Sequence, residues 1–417
     1  MATRSTPTAT SNTPSYVGPF ITVAILFFIF GFITNLNMAL VPHLKNIFTL
    51  PYALAMLAES AFFLAYLVFS SPTSKLIESI GYKRTMVVSL FIQVVGCLMF
   101  VPAAKLVSFP LFLTAVFVVG AGVTALQTSA NPYVAILGPE RSAPARLTLA
   151  QALNSFGGTI APIVAGAYIL TDPSATATKA AVANTVRGPY IATAAGLLIL
   201  GITVTFLHLP HIIQTQEFRP AKELDAFLSR SIWSFRHTVL GAIGIFLYVG
   251  VEVGLGSIAV NYFKTQGVDS LKTASFLVAL YWGGAMVGRL LGSWVLTKVN
   301  PHLLLGLFGI AATFFVFLSM FSSGQVAIWS IVLCGFFNSI MFPNIFALGI
   351  AGLGPMTSKG SGLIMTAVVG GAVVPYLIGK AADYIGIQHA LIIPAICYLC
   401  ITFYGFVGSK PARTVTA

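Results

Sequence analysis

Charge is what this sequence has least of. Only 8% of its 417 residues are charged, and only 10 of them are acidic. A soluble domain carries about a quarter of its residues as charge, so water is excluded as the main solvent, and with it a soluble enzyme of ordinary design. Cysteine is scarce too: Cys97, Cys334, Cys397 and Cys400 all stand in apolar runs, where neither disulfides nor zinc sites are expected. The Cys397-x-x-Cys400 spacing has no histidine or second pair beside it and reads as structural. The six histidines fall at predicted helix ends without a partner at ligand spacing. No metal site, cofactor or catalytic group is therefore expected. No long stretch has soluble composition, which excludes a single anchor carrying a large extramembrane domain.

What is present is apolar length. Hydrophobic residues make up 57% of the chain and the mean hydropathy is +0.92. At about 20 apolar residues per bilayer-crossing helix, there is material for about twelve helices. Charge-free windows between short charged or Gly/Pro-containing loops predict α1 to α12 over 17–42, 52–74, 85–104, 109–137, 148–170, 189–209, 238–263, 273–297, 303–321, 326–351, 361–382 and 389–408. The expected fold class is an all-α polytopic membrane protein. Its halves, 17–209 and 238–408, are two six-helix bundles joined by a linker at 210–237. They are flanked by a Ser/Thr/Pro-rich tail at 1–16, read as disordered, and a short tail at 409–417. The net charge of +12 would suggest nucleic acid in a soluble protein; here it reads as basic loops on the cytoplasmic face, and no nucleic-acid partner is expected. Lys75, Lys83, Arg84, Arg141, Arg146 and Lys298 on one face outweigh the bases on the other. Both termini are thus expected in the cytoplasm, beneath a bacterial-type inner membrane.

The two halves resemble each other. Gly157-Gly158 and Pro162 in α5 match Gly370-Gly371 and Pro375 in α11, both as G-G-x-x-x-P, at an offset of 370 − 157 = 213. Pro132 and Gln127 in α4 stand 211 before Pro343 and Asn338 in α10. A six-plus-six parallel duplication is a transporter architecture, with substrate at the midplane between the halves.

Polar groups at membrane depth are costly and are candidates for function. Here they are Asn35 and Asn37 in α1, Gln127 and Asn131 in α4, Gln151 and Asn154 in α5, Glu252 and Asn261 in α7, Tyr281 in α8, and Asn338 and Asn344 in α10. Amides both donate and accept, which suits a neutral polyol, and aromatic rings can cover the apolar face of a sugar. Amides also glue helices together, and this reading stays open for each of them. Glu59 and Glu252 are the two carboxylates at depth. Each is a candidate to carry a coupling cation or proton, or to accept a substrate hydroxyl. Gating is expected at the equivalent loops Lys75 to Arg84 and Arg289 to Lys298, with Glu78, Lys83, Arg84 and Arg289 as the rearranging charges. Apart from that loop role, Arg289 is the only cation near the interior.

Several segments resemble a known family. They are Phe32-Ile33-Thr34-Asn35-Leu36-Asn37, Pro42-His43-Leu44-Lys45, Gly81-Tyr82-Lys83-Arg84, Leu126 to Tyr133, Leu149 to Gly157, Tyr281-Trp282-Gly283-Gly284 through Arg289, and Asn338 to Pro343. Together they are similar to the fucose/glucose/galactose permease family of the major facilitator superfamily, over about residues 19–408 and most closely to its glucose/galactose branch. The resemblance implies twelve helices in a six-plus-six pseudo-symmetric fold and uptake of a neutral hexose by alternating access, usually with protons. The expected partners are thus a small neutral sugar and membrane lipid, with the chain acting as a monomer. One departure matters. The family's fucose permease has an acid in α1, where this chain has Met38, and another in α4, where it has Gln127. Glu59 lies at a depth similar to Met38, where family members commonly have Gln, so the titratable group is expected to have moved to α2. A facilitator without ion coupling, or sodium coupling through Glu59 and Glu252, is the alternative. A multidrug exporter, a membrane-embedded enzyme and a sugar receptor rank below these.

Overall fold

A computed structural model describes residues 17–38, 44, 47–48, 57–169, 179–207, 209–210 and 229–410. The tail at 1–16, most of the linker, the residues after 410, and Pro42, His43 and Lys45 of the motifs above lie outside the described residues.

The described residues are helices joined by short turns, with no strand among them. A bilayer core offers no water to backbone groups, so each segment must bond its own N–H and C=O, and an open chain achieves this only as helix. The first helix, α1, is Val17–Met38. The next runs from Leu57 to Lys105 and is broken at Gly81, where φ is 82 and ψ is 167. Its 49 residues would span roughly 70 Å at 1.5 Å each, about twice the depth of a bilayer core. The break therefore makes two passes, α2 (57–80) and α3 (82–105). Glycine adopts that positive φ without steric cost, so the expected loop at 75–84 is helix up to a one-residue hinge.

The first half continues with α4 (Phe109–Ile136), α5 (Ala143–Tyr168) and α6 (Arg187–Phe206), the last preceded by a short helix, Lys179–Asn184. In the second half α7 is Arg236–Thr265, α8 Leu271–Val295 and α9 Pro301–Phe321. Helix α10 is Gly324–Asn338 continued by Met341–Ile350, α11 is Thr357–Thr366 carried on by Gly370–Ile385, and α12 is Ile392–Phe403. Among the described residues, 10 stretches are long and apolar enough to cross a membrane. One of them, Glu59–Lys105, is the pair α2 and α3. Helix α5, made more polar by Arg146, Gln151 and Asn154, completes the twelve.

The duplication is visible in packing. A Cβ on Gly157 would collide with the Phe28 carbonyl, and one on Gly370 with the Phe246 carbonyl. So α5 lies on α1 as α11 lies on α7, each by backbone contact that only glycine permits.

The halves meet along a seam that is tied from one end. Ser358 Oγ donates to Glu78 Oε1 at 3.0 Å and the Gly352 N–H to Glu140 Oε1 at 3.0 Å. Further in, Ser361 Oγ donates to the Thr128 carbonyl at 2.7 Å and Asn131 Nδ2 to Met365 Sδ at 3.5 Å. The deepest links join Arg289 to Ser155 and Thr159 to Met286. Among the described residues no hydrogen bond joins the halves beyond that level. The tied end is the one that carries Lys83, Arg84 and Arg141, and is called the basic end below.

Candidate functional site

The polar groups at depth divide into those whose bonds are used up and those left open. Asn338, fully buried, is used up: its Nδ2 donates to Tyr281 Oη at 2.8 Å, its Oδ1 accepts from Tyr398 Oη at 2.7 Å, and its carbonyl accepts from Tyr248 Oη at 3.1 Å. Three tyrosines from α7, α8 and α12 thus converge on one asparagine, two on its amide and one on its backbone carbonyl. Asn37 is likewise spent, donating to the Ile33 carbonyl at 3.0 Å and accepting from Tyr190 Oη at 2.9 Å, with Tyr190 stacked on Phe100. Gln127 donates to Tyr66 Oη at 2.6 Å. These contacts fasten helices within each half, the gluing role of intramembrane amides.

Gln151 differs. It is 5% exposed, and its side-chain amide makes no hydrogen bond among the described residues. It lies one turn before Ser155 on the α5 face that Arg289 reaches from the other half. Asn154 lies one turn on from it and Asn35 of α1 meets α5 at Gly158, both half-buried: Asn35 Nδ2 bonds back to the Gly31 carbonyl at 2.9 Å, and Asn154 Nδ2 reaches the Phe27 carbonyl at 3.4 Å. Asn261 is exposed on α7, and Tyr281 is buried with Oη donating to the Glu252 carbonyl at 3.2 Å. The Trp282 ring stands edge-on to Tyr281 and is 41% exposed.

Arg289 is the main surprise. Instead of a gate at the loop before Lys298, it is a buried residue within α8, paired with Glu252 at 3.3 Å. Its Nε donates to the Ser339 carbonyl at 3.3 Å and its Nη1 to Ser155 Oγ. One guanidinium therefore joins α7, α8 and α10 to α5 across the seam. The pair is the only salt bridge among the described residues. The expected cluster of Glu78 with Lys83 and Arg84 is also not formed. Glu78 turns to Ser358 in the second half, Lys83 Nζ donates to the Thr205 carbonyl at 2.8 Å at the end of α6, and Arg84 is exposed. The helical continuation through 75–80 separates these side chains.

Glu59 has no hydrogen bond or ion pair among the described residues. Its helix places it on one face with Phe63 and Tyr66, at i, i+4 and i+7. Tyr66 takes the Gln127 bond, and Phe63 lies where a Cβ on Gly371 of the second half would meet its ring at 2.7 Å. Glu59 therefore stands one turn beyond Phe63 on the α2 face that looks across the seam to α11. Asn131 and Asn344, 213 apart, are both fully buried. Asn131 Oδ1 and both side-chain atoms of Asn344 have no partner. Neither is open to a solute in this conformation.

A seam between two pseudo-symmetric six-helix halves, tied at one end and lined at mid-depth by an open amide, an ion pair and an aromatic ring, is a transporter's arrangement. The family model described as Major Facilitator Superfamily matches residues 23–374. The chain belongs to that superfamily. It is 45% identical over 405 residues to the "Glucose/galactose transporter" of Brucella abortus biovar 1, covering 97% of each chain. To the "L-fucose-proton symporter" of Escherichia coli K12 it is 33% identical over 419 residues, covering 95% of this chain and 94% of the other. A solved superfamily transporter, FucP, in the outward conformation, superposes with a TM-score of 0.84 at 31% identity, covering 94% of this chain and 98% of the other. These superfamily relatives are membrane transporters rather than enzymes, and so is this chain.

Sequence reasoning named the amides but not their partners. Tyr66, Tyr190 and Tyr398 were missed, although tyrosines deep in apolar helices signal that a hydroxyl there must find a partner. Ser155 and Ser339, which hold Arg289, carry no such signal.

Proposed function

We propose that this protein imports a neutral hexose together with a proton by alternating access, in a bacterial-type inner membrane with the basic end and both termini cytoplasmic. The observation that carries the reading is the 45% identity, over 97% of both chains, to a protein named a glucose/galactose transporter. With the basic end inside, the tied seam makes this an outward-facing arrangement. The sugar enters between the halves and meets Gln151, Asn35 and Asn154 from the first half, with Asn261, the Glu252–Arg289 pair and the Trp282 ring from the second. Gln127, Asn37 and Asn338 act behind it as props. Glu59, on the α2 face beside the seam, takes the proton. Glu252, held by Arg289, serves the sugar.

Rocking to the inward-facing state must break the bonds at the basic end. A hydrogen bond between neutral groups is worth about 0.5–1.5 kcal/mol net and one to a charged group about 1.5–3, so the four inter-half bonds from Gly352 to Asn131, two of them accepted by Glu78 and Glu140, hold that end by several kcal/mol. Asn131 and Asn344, buried on α4 and α10 with polar atoms that have no partner among the described residues, are the groups placed to exchange partners as it opens.

The replacement of the α1 acid by Met38 favours a second reading, uniport or sodium coupling. Accumulation in proteoliposomes separates them. Proton symport predicts that labelled glucose or galactose rises above its external level when the outside is made acid, with no sodium present, and collapses with an uncoupler. Uniport never exceeds the external level, and sodium coupling requires the cation.

A further inference from the structure

A second concavity lies away from the seam, on the lateral face of the first half. It is a groove of about 590 Å³ between α1, α5 and α6, walled by Phe28, Phe32, Ile160 and Tyr168 and floored by α6. The floor is a stripe of small residues one turn apart, Gly188, Ala192 and Gly196. A Cβ on Gly188 or Gly196 would meet nothing within 4 Å. Unlike Gly157 and Gly370, these glycines answer to no neighbouring backbone, and what they leave is open space.

The surroundings say what fills it. Ile163 and Ile199 on the flanking helices are 67% and 65% exposed, so the groove is continuous with the apolar belt of a membrane-spanning bundle. At its mouth, toward the end opposite the basic end, α6 begins with Arg187, next to Gly188. Among the described residues Arg187 Nη1 reaches Asn184 Oδ1, at 3.4 Å, and its buried Nε has no partner. From Gly188 to Leu197 the groove follows α6 for about 13.5 Å at 1.5 Å per residue. Extended hydrocarbon fits a groove of that length; a helix of a second copy, seated on the same small-residue stripe, is the alternative that the dimer arm of the test below separates.

We propose that an acyl chain of a bilayer phospholipid seats in this groove, with the lipid phosphate at Arg187. The inference needs only that the bundle spans a membrane and is independent of the sugar and the coupling ion. The lipid would back the α1–α5 contact, since Phe28 in its wall is also the residue whose carbonyl packs on Gly157. That contact carries Asn35, Gln151 and Asn154 on its other side.

The test uses the full chain in vesicles of phosphatidylcholine and phosphatidylglycerol, doped with phosphatidylglycerol bearing a photoactivatable group on one acyl chain. Adducts should concentrate on the α1, α5 and α6 peptides that line the groove. Gly196→Leu, which fills open space, should lower those adducts several-fold while leaving adducts on other helices and the apparent Tm unchanged, and Arg187→Gln should lower them less. Adducts spread evenly over all lipid-facing helices, or unchanged in Gly196→Leu, mean bulk lipid only and overturn the proposal. So does a lower apparent Tm of Gly196→Leu in lipid-free detergent, which would mean that protein fills the groove. A dimer that Gly196→Leu abolishes would assign the groove to a second copy and overturn it as well.

Discussion

Arg289 Nη2 lies 3.3 Å from Glu252 Oε1, while Nη1 of the same guanidinium reaches Ser155 in the opposite half. The two side chains are only 10% and 14% exposed. Removing one partner of a buried pair leaves the other charge uncompensated and costs about 3–5 kcal/mol, whereas removing both costs less. Arg289→Leu and Glu252→Leu should each lower the apparent Tm in detergent, and the double variant should melt above the worse single one. Single variants that melt like the parent would show that this pair holds nothing together.

Gln151 and Asn338 make opposite predictions. Gln151 has an amide without a partner among the described residues, so Gln151→Ala should leave Tm unchanged. It should also deprive the sugar of a bond worth about 1–3 kcal/mol, a roughly 5- to 150-fold loss of affinity in calorimetry. Asn338→Ala would strand the Tyr398 hydroxyl, which donates to its Oδ1, and remove the donor to Tyr281 Oη, which keeps its bond to the Glu252 carbonyl. That should lower Tm, at about 1–3 kcal/mol for the buried hydroxyl left alone. Calorimetry and melting on both variants check the assignment, and the reverse pattern would exchange their roles.

The contrast between those two residues marks how far the sequence could be read. Hydropathy and Gly/Pro spacing act within one helix, so the twelve passes, the two halves and the amides at depth were legible. The hinge at Gly81 was misjudged because Lys83, Arg84 and Lys75 resemble loop residues, while a positive φ has no signature beyond the glycine itself. Which amides were spent was not legible at all. Their partners come from other helices, Tyr66 for Gln127 at 61 residues' separation and Tyr190 for Asn37 at 153. Arg289 was legible in part: the sequence marks it as the only cation near the interior, while its position near the end of α8 also suits a loop charge, and its partner Glu252 comes from another helix.

The tied end of the seam can be locked. A Cβ placed on Gly362 would lie 2.8 Å from Ser74 Cβ, and a disulfide spans about 3.5–4.5 Å between Cβ atoms, so a small shift accommodates the bond. Oxidising Ser74→Cys/Gly362→Cys should abolish uptake in proteoliposomes and a reducing agent should restore it, while Ser74→Cys alone transports with or without oxidant. Full uptake by the cross-linked protein would mean that this end of the seam never opens.

Glu59 carries the last prediction, on coupling. It stands on the α2 face that holds Phe63 against Gly371, without a partner among the described residues. A carboxyl that moves between a proton and no proton as the seam opens and closes must face that seam, and a neutral isostere at the same place should carry sugar but no proton. Glu59→Gln should therefore exchange labelled for unlabelled hexose across the membrane as fast as the parent, since exchange needs no net proton movement. Its uptake should no longer respond to an imposed pH gradient. Met38→Asp in the Glu59→Gln background, which puts an acid back on α1 at a similar depth, should restore part of that response. If Glu59→Gln alone still accumulates sugar when the outside is acid, the proton travels elsewhere, and Glu252, freed from its role toward the sugar, becomes the group to replace next.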